Sequence, residues 1–241
     1  MSRKVITDKA GEGEKRTTDR GQRRKVLLMA AAAVMLISLA LKLVIIFRYG
    51  NRLSVNSDDL NYIKSAKVLL ETGRFVFHQY NEPTVYVMPL YPAFLSGVFA
   101  VFGSGFTGLQ AVRIIQALMG TVSLALIFMT ASKLFSETVG LVSAALAAFY
   151  MPNLVTPGYM LTETLFTMLL LLLLYLSILF ARKPETKGML AIGLTYTLAC
   201  LCRPTIAPYP AVLAVYMLLI KKIPFREIFK SMITIAAIFA V

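Results

Sequence analysis

The stretch VLLMAAAAVMLISLALKLVIIF, residues 26–47, is long enough to cross a bilayer unaided, and this limits what the rest of the chain can be. A helix rises about 1.5 Å per residue, so roughly 20 apolar residues span the hydrocarbon layer. The run is too long for a signal-peptide core and no small-residue cleavage site follows it, so it reads as a retained helix, with Lys42 snorkelling to the headgroups. Further apolar runs follow, and 58% of the 241 residues are hydrophobic against 15% charged. Composition and runs together predict an all-α polytopic membrane protein.

The net charge of +13 does not point to nucleic acid, because the basic residues lie in a tail and between apolar runs instead of on one face. Residues 1–25 are polar, basic and without aromatics, and read as a disordered cytoplasmic tail ahead of a transmembrane domain over 26–241. A long first external loop, 48–108, follows the first span. Its last part, MPLYPAFLSGVFAVFG (88–103), is short and broken by Pro89 and Pro92, and is read as lying in the interface without crossing. Spans are then expected at 109–132, 138–152, 159–180, 188–202 and 206–220, with another starting at 231. In that register Lys133, ARKPETK (181–187) and KKIPFREIFK (221–230) share the cytoplasm with the tail, as the positive-inside rule requires. The same register gathers Asp58, Asp59, Glu82, Arg113, Glu163 and Arg203 at the external face of a multi-pass protein, the plasma membrane in a bacterium.

The segment NSDDLNYIKSAKVLLETGRF (56–75) predicts an amphipathic surface helix. Ser57 is a candidate N-cap, Leu60, Ile63, Ala66 and Leu70 recur at helical spacing, and Gly73 is a stop. Asp58 and Asp59 then sit in the first turn, either as ordinary first-turn acids or with one acting as a general base. Glu163, at the edge of a long apolar helix, reads as a cavity-facing charge or as a solvated acid beside Thr162. Arg203, between two apolar runs and before Pro204, suits bidentate binding of a phosphate, or snorkels. The chain has one histidine, His78, and its two cysteines, Cys200 and Cys202, point to opposite sides of a helix, so a disulfide and a His/Cys metal site are not expected. No phosphate loop, dinucleotide fingerprint or zinc-protease motif is present.

SDDLNYIKSAKVLLETGRF, NEPTVYVMPLYPAFLSGVFAVFG, AVRIIQALMGTVSLALIFMTASKLFS, LTETLFTMLLLLLLY and CRPT follow one another in an order that resembles the GT-C glycosyltransferases. The branch most similar is that of the protein O-mannosyltransferases and the lipid A aminoarabinose transferase. The resemblance covers residues 26–241 and implies a GT-C-like helix bundle. It implies an inverting transferase that moves a sugar from a polyprenyl-phosphate donor to an acceptor at the external face. An acidic residue of the first external loop is catalytic in that family, which carries over to Asp58 or Asp59. Arg113 and Arg203 become candidates for stabilising the leaving phosphate, with a divalent ion held by Asp58 and Asp59 as the other option. Glu82, in NEPTVY, falls near a donor-contacting position.

Family members have about twice as many spans, and this sequence stops at SMITIAAIFAV, eleven residues into its last run. The expectation is therefore an N-terminal part or a truncated product. Two other functions fit the hydropathy: a transporter or flippase with Glu163 and Arg203 as pathway charges, and an inactive membrane assembly subunit.

Overall fold

The structure, a computed structural model, describes residues 2–77, 87–183 and 185–220, the side chains of residues 2–20, Asn51 and Ile220 excepted. Among the described residues there are helices and turns but no strand. Helices suit a bilayer because each satisfies its own backbone hydrogen bonds where water cannot. Among the described residues three helices are long and apolar enough to cross, or four if a bent pair counts as one span, and the chain is an integral membrane protein.

Helix α1 runs Ser2–Tyr49 and its crossing portion is Gly21–Tyr49. Where the sequence suggests a disordered tail over 1–25, the backbone is helical from Ser2. Once the apolar run has formed a helix, each added residue gains a hydrogen bond without a new nucleus. A 3₁₀ turn at Gly50–Arg52 leads to α2, Asp58–Thr72. Gly73 ends α2 in the left-handed conformation, φ 69°, with its N–H on the Leu69 carbonyl, as expected of that glycine. The start of α2 differs from expectation. Ser57 makes no side-chain cap; instead the Asp59 carboxylate, inside the first turn, reaches back and accepts from the Ser57 N–H. The buried face also differs: Leu60 and Leu70 are exposed, while Asp59, Ser65 and Ala66 are buried and Tyr62 packs against the core. The ring of Tyr62 sets this rotation, meeting Tyr91 edge-on at 5.1 Å between centroids.

Helix α3, Leu90–Phe102, has 13 residues and so covers about 20 Å, less than a bilayer. It lies against α2 and against α4, Phe106–Leu134, which is long and apolar enough to span. The turn between them is tight: Gly103 takes φ 78°, and a Cβ on Gly108 would overlap the Gly103 carbonyl oxygen. Helix α5, Glu137–Phe149, is capped by the Ser136 hydroxyl, which accepts from the Val139 N–H at 3.3 Å.

The expected straight span over 138–152 is instead broken. After Phe149 the chain turns by 67° into α6, Met151–Val155, and a 3₁₀ turn at Thr156–Gly158. Tyr150 is extended and Pro152 opens α6, so the ladder of α5 cannot continue through it. Helix α7, Glu163–Arg182, is long and apolar enough to span. Helix α8, Thr186–Cys202, and the apolar segment Pro204–Leu219, which holds α9 (Tyr209–Val215), are shorter than a full span. The run from 231, like Glu82 and His78, lies outside the described residues.

The main core joins α2 and α3 to the spanning helices through Ala66, Tyr91, Leu95, Phe99, Val112 and Leu165. At one end of the bundle the close of α1, the start of α4, the 156–158 turn, the start of α7 and the close of α8 come together. Leu53 packs on Gly158, Arg113 reaches the Gly158 carbonyl, and Arg203 pairs with Glu163. The opposite end is tied by Arg24 to Glu137 at 2.8 Å and by Arg182 to the Lys133 carbonyl.

Candidate active site

Asp58 and Asp59 open α2 side by side but face different surroundings, because successive helical residues diverge by about 100°. Asp58 is exposed. Asp59 is 2% exposed, and its two oxygens accept from the Ser54 hydroxyl, the Val55 N–H at 3.0 Å and the Ser57 N–H at 3.0 Å. Burial pushes the Asp59 carboxyl upward, but these donors, Ser54 first, outweigh it and hold the group below the ordinary carboxylate value. Asp59 is thus the fastener of the 54–57 loop, with Asp58 carried on its outer side. Both Asp59 oxygens being engaged, the pair does not present two free carboxylates to one cation, and among the described residues no three His, Cys, Asp or Glu side chains gather to hold a metal.

Arg203 follows α8 with extended backbone and turns its side chain onto the start of α7. Its Nε donates to Thr162 Oγ1 at 2.7 Å, its Nη2 pairs with Glu163 Oε1, and the guanidinium carbon stands 5.7 Å from the Phe166 ring centre. Glu163 Oε2 is buried and has no hydrogen-bond partner among the described residues. Tyr62 links this pair to the aspartates. Its phenol is pushed above the usual value first by burial and then by the negative charge of Asp58, with Arg203 opposing and Glu163 adding. The charges of Asp58, Arg203 and Glu163 are thus all felt at this one phenol.

Arg113 is placed differently. It is buried, with Nε donating to the Gly158 carbonyl at 3.1 Å and Nη1 to Gln110 Oε1 at 2.9 Å. One turn further along α4, Gln116 donates to the carbonyls of Pro157 (2.9 Å) and Tyr159 (2.8 Å), while Tyr91 donates to its Oε1 at 3.0 Å. Together these side chains supply the hydrogen bonds that a turn sunk into an apolar bundle cannot obtain from water. Sequence reasoning gave no role to Tyr62, Tyr91 or Gln116. Gln116 left a readable signal, a polar side chain inside the apolar run AVRIIQALMG.

Glu163 and Arg203 are thus paired, Asp59 is hydrogen-bonded to the 54–57 loop and Arg113 to the Gly158 carbonyl, Asp58 stands exposed beside Asp59, and Glu82 lies outside the described residues. The arrangement offers one exposed carboxylate for proton transfer and one guanidinium for an anion. No curated protein and no solved structure matches the chain. The sequence model described as dolichyl-phosphate-mannose-protein mannosyltransferase matches residues 82–241, taking in Arg113, Glu163 and Arg203 and beginning after the aspartate pair. The chain therefore belongs to the dolichyl-phosphate-mannose-protein mannosyltransferase family, whose members are glycosyltransferases that draw on polyprenyl-phosphate-linked mannose.

Proposed function

We propose that the chain takes part in transfer of a sugar from a polyprenyl-phosphate donor to an acceptor hydroxyl at the external membrane face, with inversion, and that Asp58 is the general base. The observation that carries this reading is the partly exposed Arg203 guanidinium paired with Glu163 at the start of α7, with the exposed Asp58 carboxylate close enough for its charge to be felt at the same Tyr62 phenol as that pair. External placement is supported by the basic residues Arg24, Lys133, Arg182, Lys183 and Lys187 at the other end of the helices. The acceptor oxygen forms its bond to the anomeric carbon as the bond from that carbon to the phosphate oxygen breaks. The acceptor proton passes to Asp58, and the bonding pair leaves with the prenyl phosphate, which gains one negative charge. Arg203 meets that charge, Glu163 and Thr162 hold Arg203 in place, and Asp59 fixes the loop that carries Asp58.

The test uses membranes containing the protein and purified lipid-linked sugar carrying a label. Label should pass from the lipid donor without added nucleotide sugar, and Asp58→Asn should lower the rate about 100-fold or more. Arg203→Gln should weaken donor binding about 10- to 100-fold, with Arg203→Lys between, because lysine keeps charge and loses the fork. Transfer that required a nucleotide sugar in membranes stripped of lipid-linked intermediates would overturn the reading.

A further inference from the structure

Lys42 lies in the crossing portion of α1, about two turns, or roughly 10 Å, before its end at Tyr49. A lysine at that depth is expected to snorkel toward the headgroups beyond Tyr49, but this one does not. It is 0% exposed, and its side chain runs back along the helix, Nζ donating to Ser38 Oγ at 2.9 Å, one turn deeper. Ser38, equally buried, donates its single hydroxyl proton to the Ala148 carbonyl at 3.1 Å. Ammonium, hydroxyl and carbonyl thus form one chain from α1 to the end of α5. Among the described residues no carboxylate pairs with the ammonium.

The far end of that chain is where donors are scarce. Helix α5 stops at Phe149, where the backbone bends by 67°, so its last carbonyls have no next turn to accept from, and a bilayer offers no water instead. Asn153 Nδ2 donates to the Ala147 carbonyl at 2.9 Å, and Ser38 serves that of Ala148. The same end carries the negative pole of the helix dipole, and Lys42 brings a positive charge toward it.

The charge is what needs explaining. Burying an ammonium costs more than burying a methionine of similar length, which would fill the space as well. Methionine cannot polarise the Ser38 hydroxyl onto the carbonyl or offset the dipole. The room for the lysine is kept by Gly120 of α4, whose added Cβ would stand 3.3 Å from Lys42 Cε and 3.7 Å from Pro157 Cγ. The lysine stem, α4 and the sunken turn therefore meet at that glycine. Pro157 is followed by Gly158, on which Leu53 packs and to whose carbonyl Arg113 donates.

We propose that Lys42 is a positioning residue for the external site: its ammonium, acting through Ser38, anchors the end of α5 and so sets where the Thr156–Gly158 turn sits and where the loop carrying Asp58 rests on it. The link to Asp58 rests on the transferase reading above, whereas the anchor stands without it. Lys42 itself touches no reacting atom.

The test uses the full chain in a Cys200→Ser, Cys202→Ser background, with nitroxides on Val55→Cys and Met151→Cys, both exposed, and their distance distribution read by pulsed electron resonance in liposomes without substrate. Lys42→Met should broaden that distribution about 2-fold without lowering the melting temperature, since an apolar side chain replaces a buried charge. In the unlabelled chain it should lower kcat for transfer from polyprenyl-phosphate-mannose about 10-fold and change KM by less than about 2-fold. Added to Leu53→Ala it should lower kcat no further, because the contact through which it acts is already gone. Ser38→Ala removes the link while keeping the charge and should reproduce both effects, and it decides the matter if Lys42→Met does not fold. An unchanged distribution would overturn the anchor. A rise in KM alone would place Lys42 at the lipid donor, and a full loss of kcat in the Leu53→Ala background would show another route; either result overturns the positioning role. A parent chain that transfers nothing would overturn the transferase reading, and the distance measurement would still decide the anchor.

Discussion

Leu53 Cδ1 occupies the space that a Cβ on Gly158 would require. The loop after α1 is therefore seated on the sunken turn after α6, and the segment carrying Asp58 is referenced to the broken span. Gly158→Ala should lower stability by about 1–3 kcal/mol through overpacking, and Leu53→Ala in the same chain should recover most of it. Circular-dichroism melts of the solubilised single and double variants check the pairing. Additive losses would show that the two residues do not share that space.

The aspartates should separate by type of defect. Asp58→Asn should reduce transfer and leave the melt unchanged, whereas Asp59→Asn places an amide against the donors of Ser54, Val55 and Ser57 and should cost about 1–3 kcal/mol. The Asp59 carboxyl is depressed in the fold, so its contribution is complete above the ordinary carboxylate value and is lost only as pH falls through the lower folded value. Thiol accessibility of Val55→Cys, in a cysteine-free background, should stay flat from about pH 8 to 5 and rise only in stronger acid.

Tyr62 offers a readout independent of catalysis. The Asp58 charge raises its phenol and the Arg203 charge lowers it, so Asp58→Asn should bring the Tyr62 titration down in pH and Arg203→Gln should take it up. A fluorotyrosine at position 62, followed by fluorine resonance, reports both. Identical titration in the parent and both variants would show that the three groups are not neighbours.

Gln116→Leu removes the donor to two buried carbonyls and the acceptor of the Tyr91 hydroxyl. The expected loss is about 1–3 kcal/mol for each group left unpaired, large enough to lower expression as well as the melting temperature. Gln116→Glu, which keeps the acceptor for Tyr91 and loses the donor, should recover less than half of it.

Orientation is checked with impermeant maleimide on intact cells. Val55→Cys should label and Lys183→Cys should not, each in a Cys200→Ser, Cys202→Ser background. The reverse pattern would put the proposed base on the side of the nucleotide sugars.

The apolar runs were legible because a bilayer allows little besides helices, and their order was enough to bring Glu163 and Arg203 to one end. What escaped depends on loops meeting across the bundle. Two adjacent aspartates look equivalent until Ser54 and the backbone of Val55 and Ser57 close on one of them. Arg113 reads as a free phosphate ligand until the 156–158 turn sinks far enough to claim it. Pro152 was visible, but whether a proline ends a span or deflects it is decided by the partners waiting beyond it, here Arg113 and Gln116.

The deflection at Phe149 also concerns the lipid. Helix α5, with 13 residues, covers about 20 Å of a hydrocarbon layer of roughly 30 Å, and its outer side shows Val142, Leu146 and Phe149 to the surroundings. Such hydrophobic mismatch is relieved by local thinning of the bilayer. Thinning beside α6 would lower the headgroup plane toward the depth of Thr156 and Glu163 and bring a lipid-borne phosphate nearer to Arg203 while its chain stays in the leaflet.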